Sequence, residues 1–200
     1  NYLVQGSSIQ FDKTGKKIIL NLSLSIPKRN SDLREDTVVG VDLGINIPAV
    51  CGLNNDNYAR EFIGSRDDFL RIRRKIQAQK KRLQKSLKNT NGGHGRTKKM
   101  AKFDSLTDYE RNWVKTYNHM VSHRVVKFAL DNHAKYINLE DLEGYDSSDF
   151  ILRNWSYYEL QQQITCKANM YGIEVRKINP YHTSQICSCC GEWHEENRET

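Results

Sequence analysis

No apolar stretch in these 200 residues approaches the length of a membrane span, and no secretory leader is visible. No membrane role is therefore expected, and the cysteine pattern points to a cytoplasmic or nucleoid-associated protein. The cysteines do not form an even set. Cys51 and Cys166 stand alone, while Cys187, Cys189 and Cys190 cluster. An odd count with one C-x-x-C pair argues against a disulfide framework and for metal binding in a reducing compartment. No G-x-x-x-x-G-K-[ST] loop exists anywhere, which excludes a P-loop nucleotide site. The first residue is Asn, not Met, so the N-terminus is expected to be a cut.

Acidic residues are missing from one long stretch. Between Arg71 and Lys102 there are thirteen Lys or Arg and no Asp or Glu, and the rest of the chain holds 18 basic against 24 acidic residues. One segment therefore carries the whole net charge of +7. A polyanion lying along one face explains that concentration, and nucleic acid is the polyanion expected. The hydrophobic fraction is a modest 38%, but three Trp and ten Tyr supply large surfaces to bury, so a folded chain is expected.

Periodicity places the elements. Lys16–Ile26 is strand-like and preceded by a turn at Asp12–Gly15, and 28–36 is a polar linker. Three short strands follow, at Val38–Leu43, Ile47–Leu53 and Tyr58–Ile63. Phe69, Ile72, Ile76, Leu83 and Leu87 then recur at helical spacing. The opposite face of that helix carries Arg71, Arg73, Arg74, Lys75, Lys81, Arg82, Lys85 and Lys88, the candidate nucleic-acid contacts, which Arg96 extends. A flexible Asn89–Gly95 loop leads to a second helix from about Leu106 to Asn132, with Leu106, Tyr109, Trp113, Tyr117, Val121, Val125 and Phe128 as its apolar stripe. A strand around Ile137, a helix capped at Asn154 or Ser156 and closed by Gly172, and a strand at Ile173–Ile178 complete the chain. Three strands, long helices, strand, helix, strand describe an α/β protein: a mixed sheet with helices packed on it.

Two acids end strand-like runs. Asp42 closes Thr37-Val-Val-Gly-Val-Asp, and Glu140 closes Tyr136-Ile-Asn-Leu-Glu. A buried acid is costly unless it is paired or holds a metal, and hard carboxylate oxygens suit Mg²⁺. Two such ions can activate a water and stabilise the leaving oxygen in phosphodiester hydrolysis. Asp141 and Glu143 compete with Glu140, and alternation puts Glu140 and Asp141 on opposite faces. Two acids are too few for two ions, and Glu195, Glu196 and Glu199 lie in a polar loop, so the chain alone is expected to be inactive. Cys187 and Cys190 are half of a structural Zn²⁺ site. His182 or His194 are weaker candidates to complete it than a further C-x-x-C after residue 200. Cys189 is a bystander, and Cys51 and Cys166 are expected in the core. An actin-like ATPase also opens with a Val-Gly-Val-Asp-Leu-Gly hairpin, but Asn54-Asn-Asp-Asn57 is a poor substitute for the phosphate-loop glycines it needs.

Val39-Gly-Val-Asp-Leu-Gly44, Ile137-Asn-Leu-Glu-Asp-Leu142 and Tyr181-His-Thr-Ser-Gln-Ile-Cys-Ser-Cys-Cys-Gly191 resemble, in order, motifs of the TnpB transposon nucleases. Gly92-Gly-His-Gly-Arg96, Asn154-Trp-Ser-Tyr-Tyr-Glu-Leu-Gln-Gln162 and Tyr171-Gly-Ile-Glu-Val-Arg-Lys-Ile-Asn-Pro180 resemble more closely the miniature type V CRISPR effectors. The resemblance implies a ribonuclease H-like RuvC nuclease domain at 31–181, with a basic helical hairpin at 65–135. It implies the end of a wedge barrel at 1–30 and the first half of a zinc ribbon at 182–200. Asp42 and Glu140 would be the catalytic, Mg²⁺-binding acids, and Cys187 and Cys190 would bind Zn²⁺. Guide RNA and target DNA are the implied partners, with room for a homodimer, and RNA-guided DNA cleavage is the implied activity. The family's third acid would lie after residue 200, so an incomplete catalytic fragment is expected. A TnpB-type nuclease or a binding module without cleavage are the alternatives.

Overall fold

A computed structural model describes residues 3–12, 14–25, 27, 29, 31–44, 46–141, 157–179 and 192. Four short strands come first: β1 (Leu3–Val4), β2 (Ser8–Phe11), β3 (Ile18–Asn21) and β4 (Leu24–Ser25). They pair antiparallel as β1–β4 and β2–β3. The turn expected at Asp12–Gly15 is present. The Asp12 carboxylate accepts the Lys16 and Lys17 N–H groups, and Gly15 takes a φ of +69°. The single strand expected over Lys16–Ile26 is instead two, because β3 pairs with β2 while β4 pairs with β1.

The main sheet contains β5 (Arg34–Asp42), β6 (Ala49–Leu53), β7 (Arg60–Ile63), β8 (Ala134–Glu140) and β9 (Glu174–Ile178), in the order β7-β6-β5-β8-β9. The first three form an antiparallel meander, and β8 and β9 run parallel to β5. Part of the expected 28–36 linker is thus strand, since β5 begins at Arg34. Between β7 and β8 stand α1 (Arg66–Lys88) and α2 (Gly93–Asp131), and between β8 and β9 stands α3 (Tyr157–Met170). Such helices are the crossover connections that parallel strands need. The expected caps at Asn154 and Ser156 lie outside the described residues. Gly172, at φ +78°, follows α3 as anticipated.

Register decides the two faces. Val39 lies opposite Ile137 and Val41 opposite Leu139, and all four are buried. Their face packs against Val121, Val125 and Ala129 of α2 and Leu160, Ile164 and Ala168 of α3. Because side chains alternate, Gly40, Asp42, Asn138 and Glu140 all face the other way.

The helical hairpin departs from the expected stripes. Phe69 and Ile76 are buried, but so is Leu70, while Ile72, Leu83 and Leu87 are only half-buried. The α2 helix starts at Gly93, well before Leu106, and its 39 residues extend to about 58 Å at 1.5 Å per residue. Residues 97–105 contain no Gly or Pro and include Lys98, Lys99, Met100, Ala101 and Lys102, all good helix formers. Without an apolar stripe they gave no periodic signal. Tyr109 is exposed for the related reason that buried positions on α2 begin only at Tyr117. A tight junction sets the base of the hairpin. Gly64 sits at φ +82°, and a Cβ there would lie 2.7 Å from the Tyr117 hydroxyl. That hydroxyl accepts the Ser65 N–H and donates to the Ser65 carbonyl, while Ser65 Oγ caps α1.

Candidate functional site

Asp42 and Glu140 are the last residues of β5 and β8. They lie one step beyond the Val41–Leu139 pair of adjacent parallel strands, so both carboxylates emerge on the same face at the same strand end. Asp42 is exposed and Glu140 half-buried. Burial, and then the charge of Asp42, push the Glu140 carboxyl above its ordinary value. Among the described residues neither carboxylate has an ion-pair or hydrogen-bond partner. Asp141 takes the opposite orientation. Its N–H donates to the Ile178 carbonyl at 2.8 Å and its carboxylate pairs with Lys177 at 3.5 Å. Glu140 is therefore the residue that joins Asp42, while Glu143 lies outside the described residues. No cluster of three metal-ligating side chains occurs among the described residues.

The raised Glu140 value has a consequence for the metal-free protein. The folded state binds this proton more readily than the unfolded state, so the ionised carboxylate costs stability at neutral pH. That cost disappears as pH falls through the raised value. In EDTA, Glu140→Gln should melt higher than the parent at pH 7, and the difference should shrink on acidification. Thermal denaturation across pH 4–7 measures it; a constant or reversed difference contradicts the assignment.

The basic segment divides in two. Arg71, Arg74, Lys75, Lys81, Arg82, Lys85 and Lys88 are exposed along α1. Arg73 is not in that row. Its side chain is 11% exposed, its guanidinium bonds Glu110 of α2 at 3.0 and 3.1 Å, and it lies 5.6 Å from the Phe69 ring centre. Arg73, expected among the nucleic-acid contacts, instead turns inward here and ties α1 to α2. Arg96 also has a structural task, since it donates to the Leu87 and Thr90 carbonyls and closes the end of α1. The Asn89–Gly95 segment is correspondingly short, because α2 begins within it.

Glu110 also accepts from Lys80 at 3.1 Å and from Gln77. Burial raises the Glu110 carboxyl, but the hydrogen bonds from Lys80 and Arg73 outweigh it and hold the group below its ordinary value. The stability it supplies is present above the unfolded carboxylate range and is lost as pH falls through the lowered value. Glu110→Gln strands two mostly buried cations and should cost about 1–3 kcal/mol at pH 7. Urea denaturation reads this directly, and a cost below about 0.5 kcal/mol would make the network a surface decoration.

Cys187, Cys190, Cys189, His182 and His194 all lie outside the described residues. Cys51 is buried as expected, and burial, then the Glu61 charge, push its thiol up to about 12, so it is unreactive. Cys166 is exposed, contrary to the expectation of a core position. It lies two residues beyond buried Ile164, on the opposite side of the helix. One residue at the site escaped the sequence reading. Gln161 of α3 is 3% exposed, and its Nε2 donates to the Glu140 carbonyl at 2.7 Å. Its only signal is a polar residue interrupting an otherwise apolar helix face.

Residues 157–200 match the family model described as Cas12f1-like, TNB domain. The CRISPR-associated endodeoxyribonuclease Cas12f1 of Syntrophomonas palmitatica is 34% identical over 96% of this chain and 39% of its own length. Cas12f1 of Sulfoacidibacillus thermotolerans is 32% identical over 98% of this chain and 47% of its own. Over nearly its whole length this chain is similar to Cas12f1. A TnpB-like protein of Methanocaldococcus jannaschii is also similar, at 27% identity over 60% of this chain. In three dimensions the chain matches a cryo-EM structure of a Cas12f1–sgRNA–target DNA complex with a TM-score of 0.78 at 29% identity. That match covers 98% of this chain and 40% of the other. A CRISPR–Cas12f ternary complex matches with a TM-score of 0.68 over 93% of this chain. The chain thus spans between about two fifths and half of the Cas12f1 relatives it matches. Among the described residues no helix is long and apolar enough to cross a membrane.

Proposed function

We propose that this chain carries part of the nuclease site of an RNA-guided DNA endonuclease, of ribonuclease H-like RuvC type. One observation carries the reading: Asp42 and Glu140 stand side by side at the ends of two adjacent parallel strands, and among the described residues no cation pairs with either. Two like charges held together are unfavourable alone, and a divalent ion reverses that balance. Hard carboxylate oxygens at the accessible ends of two inner strands fit Mg²⁺ as two of its ligands. Bound there, Mg²⁺ would act as the Lewis acid for phosphodiester hydrolysis. The residues of this chain supply the charge, the fixed spacing and the rigid strands that hold it.

The sheet order supports the same fold type, with an antiparallel meander joined to two parallel strands and both acids near its centre. Guide RNA and target DNA are the partners, as in the Cas12f1 complexes that the chain matches. The exposed cations of α1 meet phosphates and carry no sequence readout, which pairing with the guide supplies. Cys187 and Cys190 are two ligands of a structural Zn²⁺. Guided cleavage by the full-length protein, with Mg²⁺ and with EDTA, tests the reading. Cleavage that persists in EDTA overturns it.

A further inference from the structure

The main-chain groups around Glu140 leave one vacancy in the ladder. Asp141 gives its N–H to Ile178 of β9. Successive residues of a strand direct their main-chain groups to opposite sides, so the Glu140 carbonyl points towards β5. There β5 has ended at Asp42, and the last paired residues are Val41 and Leu139. A carbonyl at that gap needs a donor, and Gln161 supplies it at 2.7 Å. The side chain comes from α3, where Leu160, Ile164 and Ala168 are fully buried. An amide in such a position is costly without a partner. Its apolar neighbours anchor the helix, so the donor arrives from a rigid element.

We infer that Gln161 is a positioning residue for the acid pair: it stands in for the missing strand partner and fixes the main chain from which the Glu140 carboxylate projects towards Asp42. This rests on the metal-binding reading of that pair. Asp141 complements it on the far side, where the N–H bond to Ile178 and the ion pair with Lys177 hold the next residue. Glu140 is thus held from both flanks, while its own carboxylate stays unpaired among the described residues.

Gln161→Met keeps the length and bulk of the side chain and removes the donor. Partners that orient metal-binding groups typically contribute 10–100-fold to affinity. In the guide-free full-length protein, Mn²⁺ binding followed by electron paramagnetic resonance should weaken on the order of tenfold. The Mg²⁺ midpoint of guided cleavage should rise by a similar factor, with the rate restored at high Mg²⁺ and target binding unchanged. A role confined to packing would lower the melting temperature and leave the Mg²⁺ midpoint where it was. Gln161→Glu, nearly identical in shape, is the second variant should Met prevent folding. Unchanged Mn²⁺ affinity and an unchanged midpoint in either folded variant overturn the inference, as does loss of the fold in both. Glu140→Gln is the reference: if it leaves Mn²⁺ binding and cleavage intact, the reading of the acid pair fails. If it abolishes both while the Gln161 variants behave as the parent, only the role of Gln161 fails.

Discussion

Replacing Asp42 or Glu140 by Ala in the full-length protein should lower guided cleavage by at least about a thousandfold and leave guided DNA binding largely intact. The size follows from what each carboxylate holds. Metal-ion stabilisation of a developing charge is worth several kcal/mol, and each 1.36 kcal/mol is a factor of ten in rate. Binding should survive because both side chains lie at the ends of β5 and β8, on elements other than the α1 helix whose exposed face is assigned to phosphate contacts. Asp141→Ala is the internal comparison. Its carboxylate pairs with Lys177, so its removal should cost less than about tenfold, through a weak, partly exposed ion pair. Single-turnover cleavage and filter binding on the three variants separate these effects. A lethal Asp141→Ala beside a tolerated Glu140→Ala would reverse the site assignment.

Neutralising Arg74, Lys81 and Lys85 to Gln should flatten the salt dependence of nucleic-acid binding by about two to three units in log K against log salt. Each phosphate contact to duplex DNA contributes a slope of about 0.9. Between 50 and 200 mM salt the difference amounts to about fortyfold in relative affinity. These three residues lie seven and four positions apart on α1, which places them on one side of the helix, and all three are exposed. They take part in no ion pair among the described residues. Arg73→Gln is the contrasting variant. It should leave the slope unchanged and lower stability, since its guanidinium bonds Glu110 inside the hairpin. Salt titrations of both variants decide whether α1 faces phosphate or only water. An unchanged slope in the triple variant places the nucleic acid elsewhere.

Most of the fold was legible in the chain because its strongest signals are local. Alternating and continuous apolar runs announced the strands of the main sheet, and Phe69 and Ile76 announced α1. The two acids were legible for the same reason, since each interrupts an apolar run at its end. What failed was whatever depended on a partner distant in sequence. The start of α2 at Gly93 was hidden because a helix half that packs only on α1 needs no apolar stripe. Arg73 looked like its basic neighbours, and only Glu110, on another helix, distinguishes it.

The choice between Glu140 and Asp141 shows where the division lies. The sequence by itself determined that the two must face opposite ways, because strand periodicity is two. It also determined the mixed α/β class and the concentration of positive charge between Arg71 and Lys102. Which acid meets Asp42 was decided by the parallel register of β5 and β8, a contact across nearly a hundred residues. The roles of Gln161, Arg73 and Arg96 were likewise decided only in the folded molecule. Hydrogen bonds and ion pairs between separate elements are set by docking geometry, and no local pattern encodes them.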